Sequence, residues 1–438
     1  MATPVITVNL WGKTIGYLGY APGQNEIATF EYTPEFAISE IQLSPLEMRY
    51  PPLIHSYPAI SQRTFHGLPG IFADSLPDKF GNKLIDRFFA DNGLSPSDIT
   101  ALDRLAYIGK RSMGAFEYEP STNDGMAMNG GILNIHHLNE LANMVLHEKS
   151  DFNHKLSTAS HEEMLALIRV GSSAGGARSK ALVAQDAQGR FYDGTLDAGD
   201  DKRYWLLKFD SDDNSDKDRK DPKGMTRIEY IYSLIAKECG IDIPSTTYIS
   251  DGEDFHFMIE RFDREIVDGK VRKKHYASWA GLRHFDRDHV GVYSYEQLVM
   301  TCRELGLGQN ELNELFRRAI FNIIGRNQDD HAKNFGFMMD RRGVWSLSPA
   351  FDMTYAYDPL GKWTSQHQIS LSGKRDQFER NDLLAFASKC SISAKHANEI
   401  IDTSLDAFSR FTQLAKEYEV PGELYKQVLS AQRIKSLS

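Results

Sequence analysis

Cysteine is scarce in this chain, and the three present, Cys239, Cys302 and Cys390, lie far apart. Their spacing offers neither a disulfide framework nor a zinc knuckle, which points to a reducing compartment. Long apolar runs are missing as well, and no uninterrupted segment is long enough to span a bilayer. The opening stretch Met1 to Leu10 has no basic region followed by an apolar run, so a secretory signal is not expected. Positive charge is in deficit, with 50 Lys and Arg against 60 Asp and Glu and a formal net charge of −10. That balance excludes a surface that wraps nucleic acid throughout, although a local patch at Arg272-Lys273-Lys274 stays open beside the plainer reading of a solvated hairpin. The zinc-protease pattern is absent too, because His161-Glu162 is followed at position 165 by Leu165 instead of a second histidine. No internal repeat is evident. What these absences leave is a cytoplasmic globular protein with no membrane segment, whose 438 residues allow two or three domains with sizeable cores.

Read in order, residues 1–125 form a small, mostly β unit. Val5 to Leu10, Thr14 to Leu18, Ala28 to Tyr32 and Ile41 to Leu43 read as short strands, and Pro51-Pro52 breaks the pattern. A helix is expected from about Pro77, capped by Asp74 or Ser75, with Leu84, Ile85, Phe88 and Phe89 on one face. Leu102 to Tyr118 reads as extended again. Turn formers from Pro120 to Gly131 mark a boundary, and His136 and His137, at the start of the next amphipathic helix, read as surface residues. Residues 126–265 make the second unit. It carries the Gly-rich run Gly171 to Lys180, whose backbone N–H groups and the cations of Arg178 and Lys180 suit phosphate oxygens. The run is not a Walker loop, and a tight β-turn would look much the same. Lys208 sits among large apolar residues on the strand Tyr204 to Phe209, where it is either a solvated outward residue or a phosphate-pairing lysine. Glu229, near the start of the helix Glu229 to Cys239, either reaches back to Lys208 or simply favours the helix N-terminus. Asp210 to Asp221 reads as a solvated loop, and Tyr248 to Ile259 as a hairpin leading into Glu260-Arg261-Phe262-Asp263-Arg264.

Residues 266–438 turn helical. Ser294 and Gln297 make a capping box, Leu312 to Ile323 is a strongly periodic helix ending at Gly325, and Asn381 to Leu437 is helical to the end. Between them lies Asp329-Asp330-His331-Ala332-Lys333-Asn334, then a hairpin, then Asp352. An aspartate, an asparagine five positions on, and a second aspartate after a hairpin are the parts of phosphoryl transfer. The first carboxylate accepts or orients a hydroxyl proton, and the other two groups hold magnesium through hard oxygens. Taken alone, the stretch is equally a polar turn after a helix.

The full order (Gly-rich loop, strand lysine, helix glutamate, hinge, Asp-x4-Asn, hairpin, aspartate) resembles the HipA family of bacterial serine/threonine kinases, the toxins of HipBA toxin–antitoxin modules. Leu76-Pro77-Asp78 with Gly81, Ile108-Gly109, Met113-Gly114-Ala115 and Ser173 to Lys180 are similar to family segments, and Glu260 to Arg264 and Asp329 to Phe335 are the most specific. The resemblance implies an α+β, two-lobed, protein-kinase-like fold with a small β-rich N-terminal domain and an all-helical C-terminal lobe. It implies ATP and Mg2+ as cofactors, Asp329 as catalytic base, and Asn334 and Asp352 as metal ligands. Nucleotide contacts would come from Lys208, from Ser173, Ala174, Gly175, Gly176 and Lys180 of the loop, from Glu260, Arg261 and Phe262, and from His331, Lys333, Asn334 and Asp352. Ser173, or Ser172 if the register slips, would be autophosphorylated, and the dianion would force the loop out of the cavity. Asp330 stands where relatives often carry a small residue, so it would either perturb the base or face solvent. The implied partners are a HipB-like helix-turn-helix antitoxin, operator DNA indirectly through it, and a protein substrate, with an aminoacyl-tRNA synthetase expected. A small-molecule phosphotransferase or an inactive corepressor are the alternatives.

Overall fold

Alternate residues of Val5–Leu10 are apolar, and Ile6, Val8 and Leu10 are buried on one face of the strand they form. In the computed structural model, which describes residues 5–122, 131–147, 161–172, 178–210 and 222–438, this strand sits in a five-stranded antiparallel sheet. The spatial order is Ile54–Ser56, Ala28–Tyr32, Lys13–Tyr20, Val5–Leu10, Phe116–Glu119. Two expectations fail here. Ile41 to Leu43 is not a strand, and the sheet edge is supplied instead by Ile54–Ser56 beyond Pro51-Pro52. Leu102 to Tyr118 is not extended throughout, because Ala101–Ile108 is a helix. Its Thr100 and Asp103 form a capping box, and Leu102, Leu105 and Ala106 fall at helical spacing into the core. The helix expected near Pro77 runs Lys79–Asp91 and is capped by Asp78, whose carboxylate accepts from Gly81 N at 2.7 Å.

A second five-stranded antiparallel sheet has the order Phe191–Asp193, Lys180–Gln185, Arg203–Lys208, Asp254–Glu260, Thr246–Asp251. Its register sets Lys180 directly opposite Lys208. Phe80, Leu84, Ile85 and Phe89 of the helix Lys79–Asp91 share a core with Leu138, Leu167, Val183, Trp205 and Leu207, so this helix packs on the second sheet. Each such side chain contributes roughly 1.5–3 kcal/mol by leaving water. Asp210, read from composition as part of a solvated loop, is buried and accepts from Phe255 N at 3.2 Å and Gly224 N at 3.3 Å; residues 211–221 lie outside the described residues.

The C-terminal region is helical, from Tyr295–Glu304 and Gln309–Gly325 through Arg380–Lys389 and Ala394–Ser409 to Ile434–Leu437. A three-stranded sheet of His275–Ser278, Gly336–Met339 and Trp345–Leu347 joins it to the rest. The fold is therefore mixed α and β, β-rich toward the N-terminus and helical toward the C-terminus, as expected. Among the described residues no helix is long and apolar enough to cross a membrane.

Candidate active site

Trp205 and Leu207 of the strand Arg203–Lys208 face the core shared with Lys79–Asp91, so strand alternation turns Lys208 to the opposite face. There its Nζ donates to Glu229 Oε1 at 2.6 Å and also contacts the Asp352 carboxylate. Lys208 is 8% exposed and Glu229 4%. Burial alone would pull the ammonium's pKa down, but Asp352 and then Glu229 outweigh it and hold the pKa above the usual lysine value. The same logic runs in reverse at Asp352, where burial would raise the pKa and Lys208 holds it below the usual range. Of the two readings of Glu229, the ion pair with Lys208 is the one the fold adopts.

Asp352 lies in the left-handed region at φ 52°, a conformation that a non-glycine residue keeps only when its surroundings enforce it. Asn327 supplies part of the restraint, donating from Nδ2 to Asp352 O at 3.2 Å and to Asn322 Oδ1 at 2.9 Å. Asn327 follows the helix Gln309–Gly325, which stops because Arg326 turns left-handed at φ 57°. Gly325 is required by a close approach, since a Cβ there would lie 2.5 Å from the Phe408 ring.

The loop from Asp329 to Asn334 closes on itself: Asn334 Nδ2 donates to Asp329 O at 2.7 Å, and Gln368 Nε2 donates to Asp329 Oδ1 at 2.5 Å. Asn334 and Asp352 line one small cavity of about 10 Å³, with Asn327, Asp330 and Phe351. Asp330 does not face solvent. It is buried and accepts from Tyr295 OH at 2.9 Å, His367 Nδ1 at 2.8 Å and Gln368 N at 2.8 Å.

The other expected contact residues divide. Lys180 is buried and its Nζ lies 2.9 Å from Asp78 Oδ2. Burial lowers the Lys333 pKa against the opposing pull of Asp74. His331 lies with Nε2 3.9 Å from Asp329 Oδ1 and accepts from Lys333 N at 3.2 Å. Phe262 stacks obliquely 5.9 Å from Phe351, next to Asp352. Glu260 pairs with Arg203 at 2.7 Å, and the Arg261 guanidinium is committed to Asp263 at 2.8 Å and Gly194 O at 2.8 Å, so neither side chain is brought to the lysine cluster. Ser172 is buried with Oγ 3.5 Å from Arg169 O, and Ser173, Ala174, Gly175 and Gly176 lie outside the described residues.

Arg272-Lys273-Lys274 is not an open cationic patch. Arg272 pairs with Asp268 at 3.1 Å, Lys274 with Glu265 at 2.9 Å, and Lys273 with Glu117 at 2.8 Å. Burial pushes the Lys273 ammonium down to about 8. His136 and His137 are surface residues paired with Asp251 at 2.8 Å and Glu163 at 2.9 Å. Sequence reasoning missed Gln368 and Tyr295, and it gave Asp263, inside the Glu260 to Arg264 segment, and Asn327, just before Asp329, no role of their own. Gln368 belongs to no helix or strand, and its only signal was a polar pair, His367-Gln368, set before the apolar Ile369 and Leu371.

The profile of the HipA N-terminal domain matches residues 6–119, and that of the HipA-like C-terminal domain matches residues 172–411. Y4dM of Sinorhizobium fredii, provisionally named a kinase, is 25% identical over 222 residues, 47% of this chain and 50% of its own. The serine/threonine-protein kinase toxin HipA of Shewanella oneidensis is 22% identical over 176 residues, 36% of this chain and 39% of its own. This chain thus spans half or less of the length of these curated relatives. The solved HipA of Shewanella oneidensis, in complex with HipB and operator DNA, covers 99% of this chain and 97% of its own with TM-score 0.67 and 17% identity, a shared fold. With its two profiles matched in order, the second over more than half of its length, the chain belongs to the HipA family.

Proposed function

We propose that this protein is an ATP- and magnesium-dependent serine/threonine protein kinase, the toxin of a HipBA-type module. One observation carries the reading: Lys208 is bracketed by Glu229 and Asp352, and Asp352 lines one small cavity with Asn334, which is tied to Asp329. In this reading Lys208 pairs with the nucleotide phosphates, kept charged and oriented by Glu229. Asp329 orients the attacking hydroxyl and takes its proton. The donor set fits magnesium, because Asp352 offers a carboxylate and Asn334, its amide nitrogen engaged by Asp329 O, offers its amide oxygen. When bound, the ion would neutralise charge on the transferring phosphoryl group. Phe262, beside Phe351, suits a flat adenine edge.

Autophosphorylation is assigned to Ser173 in preference to Ser172, whose hydroxyl is buried against Arg169 O. A HipB-like helix-turn-helix antitoxin is the proposed partner, with operator DNA reached through it. The proposed substrate is an aminoacyl-tRNA synthetase. Incubation with labelled ATP and magnesium is the test. Label is expected on the chain at Ser173 and on a synthetase, and Asp329→Ala should lose roughly two to four orders of magnitude in rate. An unlabelled wild type, or equal labelling of Asp329→Ala, rejects the reading.

A further inference from the structure

Asp329 is the exposed carboxylate of its loop, with 47% of its side chain accessible, so something must fix which oxygen meets the substrate. Gln368 is placed to do so. Its Nε2 donates to Asp329 Oδ1 at 2.5 Å, and its main-chain N–H donates to Asp330 Oδ1 at 2.8 Å. At 4% exposure its rotamer is set by packing. Behind it, Asp330 Oδ2 accepts from His367 Nδ1 at 2.8 Å, and Arg433 NH1 lies 3.1 Å from His367 Nε2. A guanidinium can only donate, so His367 Nε2 accepts and the ring's proton sits on Nδ1, aimed at Asp330. Arg433 is itself fixed by Ile323 O at 2.9 Å and by the Asp376 carboxylate, which ties this chain of bonds to the end of the helix Gln309–Gly325.

We infer that Gln368 is the positioning residue for Asp329: it holds Oδ1 so that Oδ2 meets the attacking hydroxyl, and Arg433 and His367 fix it through Asp330. The inference rests on the kinase reading, in which Asp329 is the base. The charged and titratable groups facing this carboxylate are His331 at 3.9 Å on its own loop and the Asp330–His367–Arg433 chain behind Gln368.

The test uses the full chain and its self-labelling from labelled ATP, measured against pH alongside nucleotide affinity and thermal melting. Gln368→Met, close in shape, should lower kcat about 10- to 100-fold with nucleotide affinity within about twofold, because Lys208, Glu229 and Asp352 are untouched. Gln368→Glu sets a second carboxylate against the first, and two carboxylates sharing a site resist double ionisation, so the acidic limb of the rate profile should move up by about one unit or more. A purely structural role would lower melting temperature and affinity without moving that limb. His367→Asn, whose amide nitrogen replaces Nδ1–H, should keep most of the rate that His367→Leu loses, and this pair decides the matter if the Gln368 variants do not fold. An unmoved limb in Gln368→Glu, or full activity in Gln368→Met, overturns the inference alone provided Asp329→Asn is dead. An unlabelled wild type, or an Asp329→Asn variant as active as wild type, overturns the kinase reading and this inference with it.

Discussion

Lys208 is the residue on which burial and charge meet most sharply. Its ammonium is inside the fold only because Glu229 and Asp352 compensate it, and Glu229 is equally dependent on the lysine. Removing one member of a buried pair leaves the other uncompensated, which costs about 3–5 kcal/mol, whereas replacing both with apolar groups is often neutral. Lys208→Met should therefore show a marked drop in urea midpoint, and Lys208→Met/Glu229→Leu should regain the part owed to Glu229, while Asp352 stays without its cation. Neither variant should transfer phosphate or bind nucleotide normally. A single variant as stable as the wild type would mean that the pair does not contribute to the fold. These two residues were legible in the sequence because each carries a local signal, a cation in an apolar strand and an acid in the periodic helix that follows, although that helix begins at Met225 instead of Glu229, which sets Glu229 a turn inside it. Gln368 had none: its role depends on partners 38 and 39 positions away, Asp330 and Asp329, in a segment without regular periodicity.

The helix Gln309–Gly325 shows how an element sets a site. Its apolar stripe, Leu312, Leu315, Phe316, Ala319, Ile320 and Ile323, is buried, and its end fixes where the loop to Asp329 begins. At that end Tyr232 OH donates to Gly325 O at 2.7 Å, and the Phe408 ring occupies the space a Cβ would need. Gly325→Ala should thus cost about 1–3 kcal/mol through overpacking. It should also lower self-labelling about tenfold or more by displacing Asn327 and Asp329, since small misplacements of positioned groups are expensive. Melting and labelling assays on the variant check both, and wild-type values in each would show that the close approach relaxes freely. Elements with a strong period or a capping box, such as this helix and Tyr295–Glu304, could be read directly from sequence. Ala101–Ile108 could have been, because Thr100 and Asp103 form a capping box, but its eight residues lie between turn signals and its aromatic and β-branched members, Tyr107 and Ile108, favour strands. Ile41 to Leu43 has strand-like composition, yet the sheet edge goes to Ile54–Ser56, a choice made by tertiary pairing and invisible in local propensity.

At the scale of the molecule, the N-terminal region is bound into the rest through buried charge. Asp263 accepts from Gly114 N at 2.8 Å and is gripped by Arg261 at 2.8 Å and Arg264 at 2.8 Å, while Arg264 donates to Gly114 O at 3.1 Å. Nearby, Asp74 accepts from Ser278 N at 2.7 Å and Asp78 holds Lys180 at 2.9 Å. None of this was readable beforehand, because contacts across 149 positions leave no periodic trace in one sequence. The junction has a signature in acid. Burial would raise the Asp263 pKa, but Arg261 and Arg264 outweigh it and hold the carboxyl well below 3.8. His275, packed 4.6 Å from Phe116 and 5.7 Å from Trp345, is fully buried and its pKa is lowered from 6.5 to about 3. Both folded values lie below the unfolded ones, so in each case the unfolded chain binds the extra proton and stability falls as pH falls. The windows differ: His275 acts from 6.5 downward, whereas the stabilisation from Asp263 is complete above 3.8 and is lost only below it. Between pH 7 and 5 the wild type should therefore lose about 2 kcal/mol through His275, and His275→Met should lose about that much less, its remaining loss coming from other buried histidines, His284 (lowered to about 4) chief among them. Asp263→Asn should behave oppositely, costing about 3–5 kcal/mol at pH 7 by leaving two guanidiniums uncompensated, yet keeping the wild-type loss from pH 7 to 5. Urea unfolding of the three proteins at the two pH values separates the effects. A His275→Met slope equal to the wild type's would place the acid sensitivity elsewhere, and an Asp263→Asn chain as stable as the wild type would mean that the N-terminal region is held by its apolar contacts, without need of this charge.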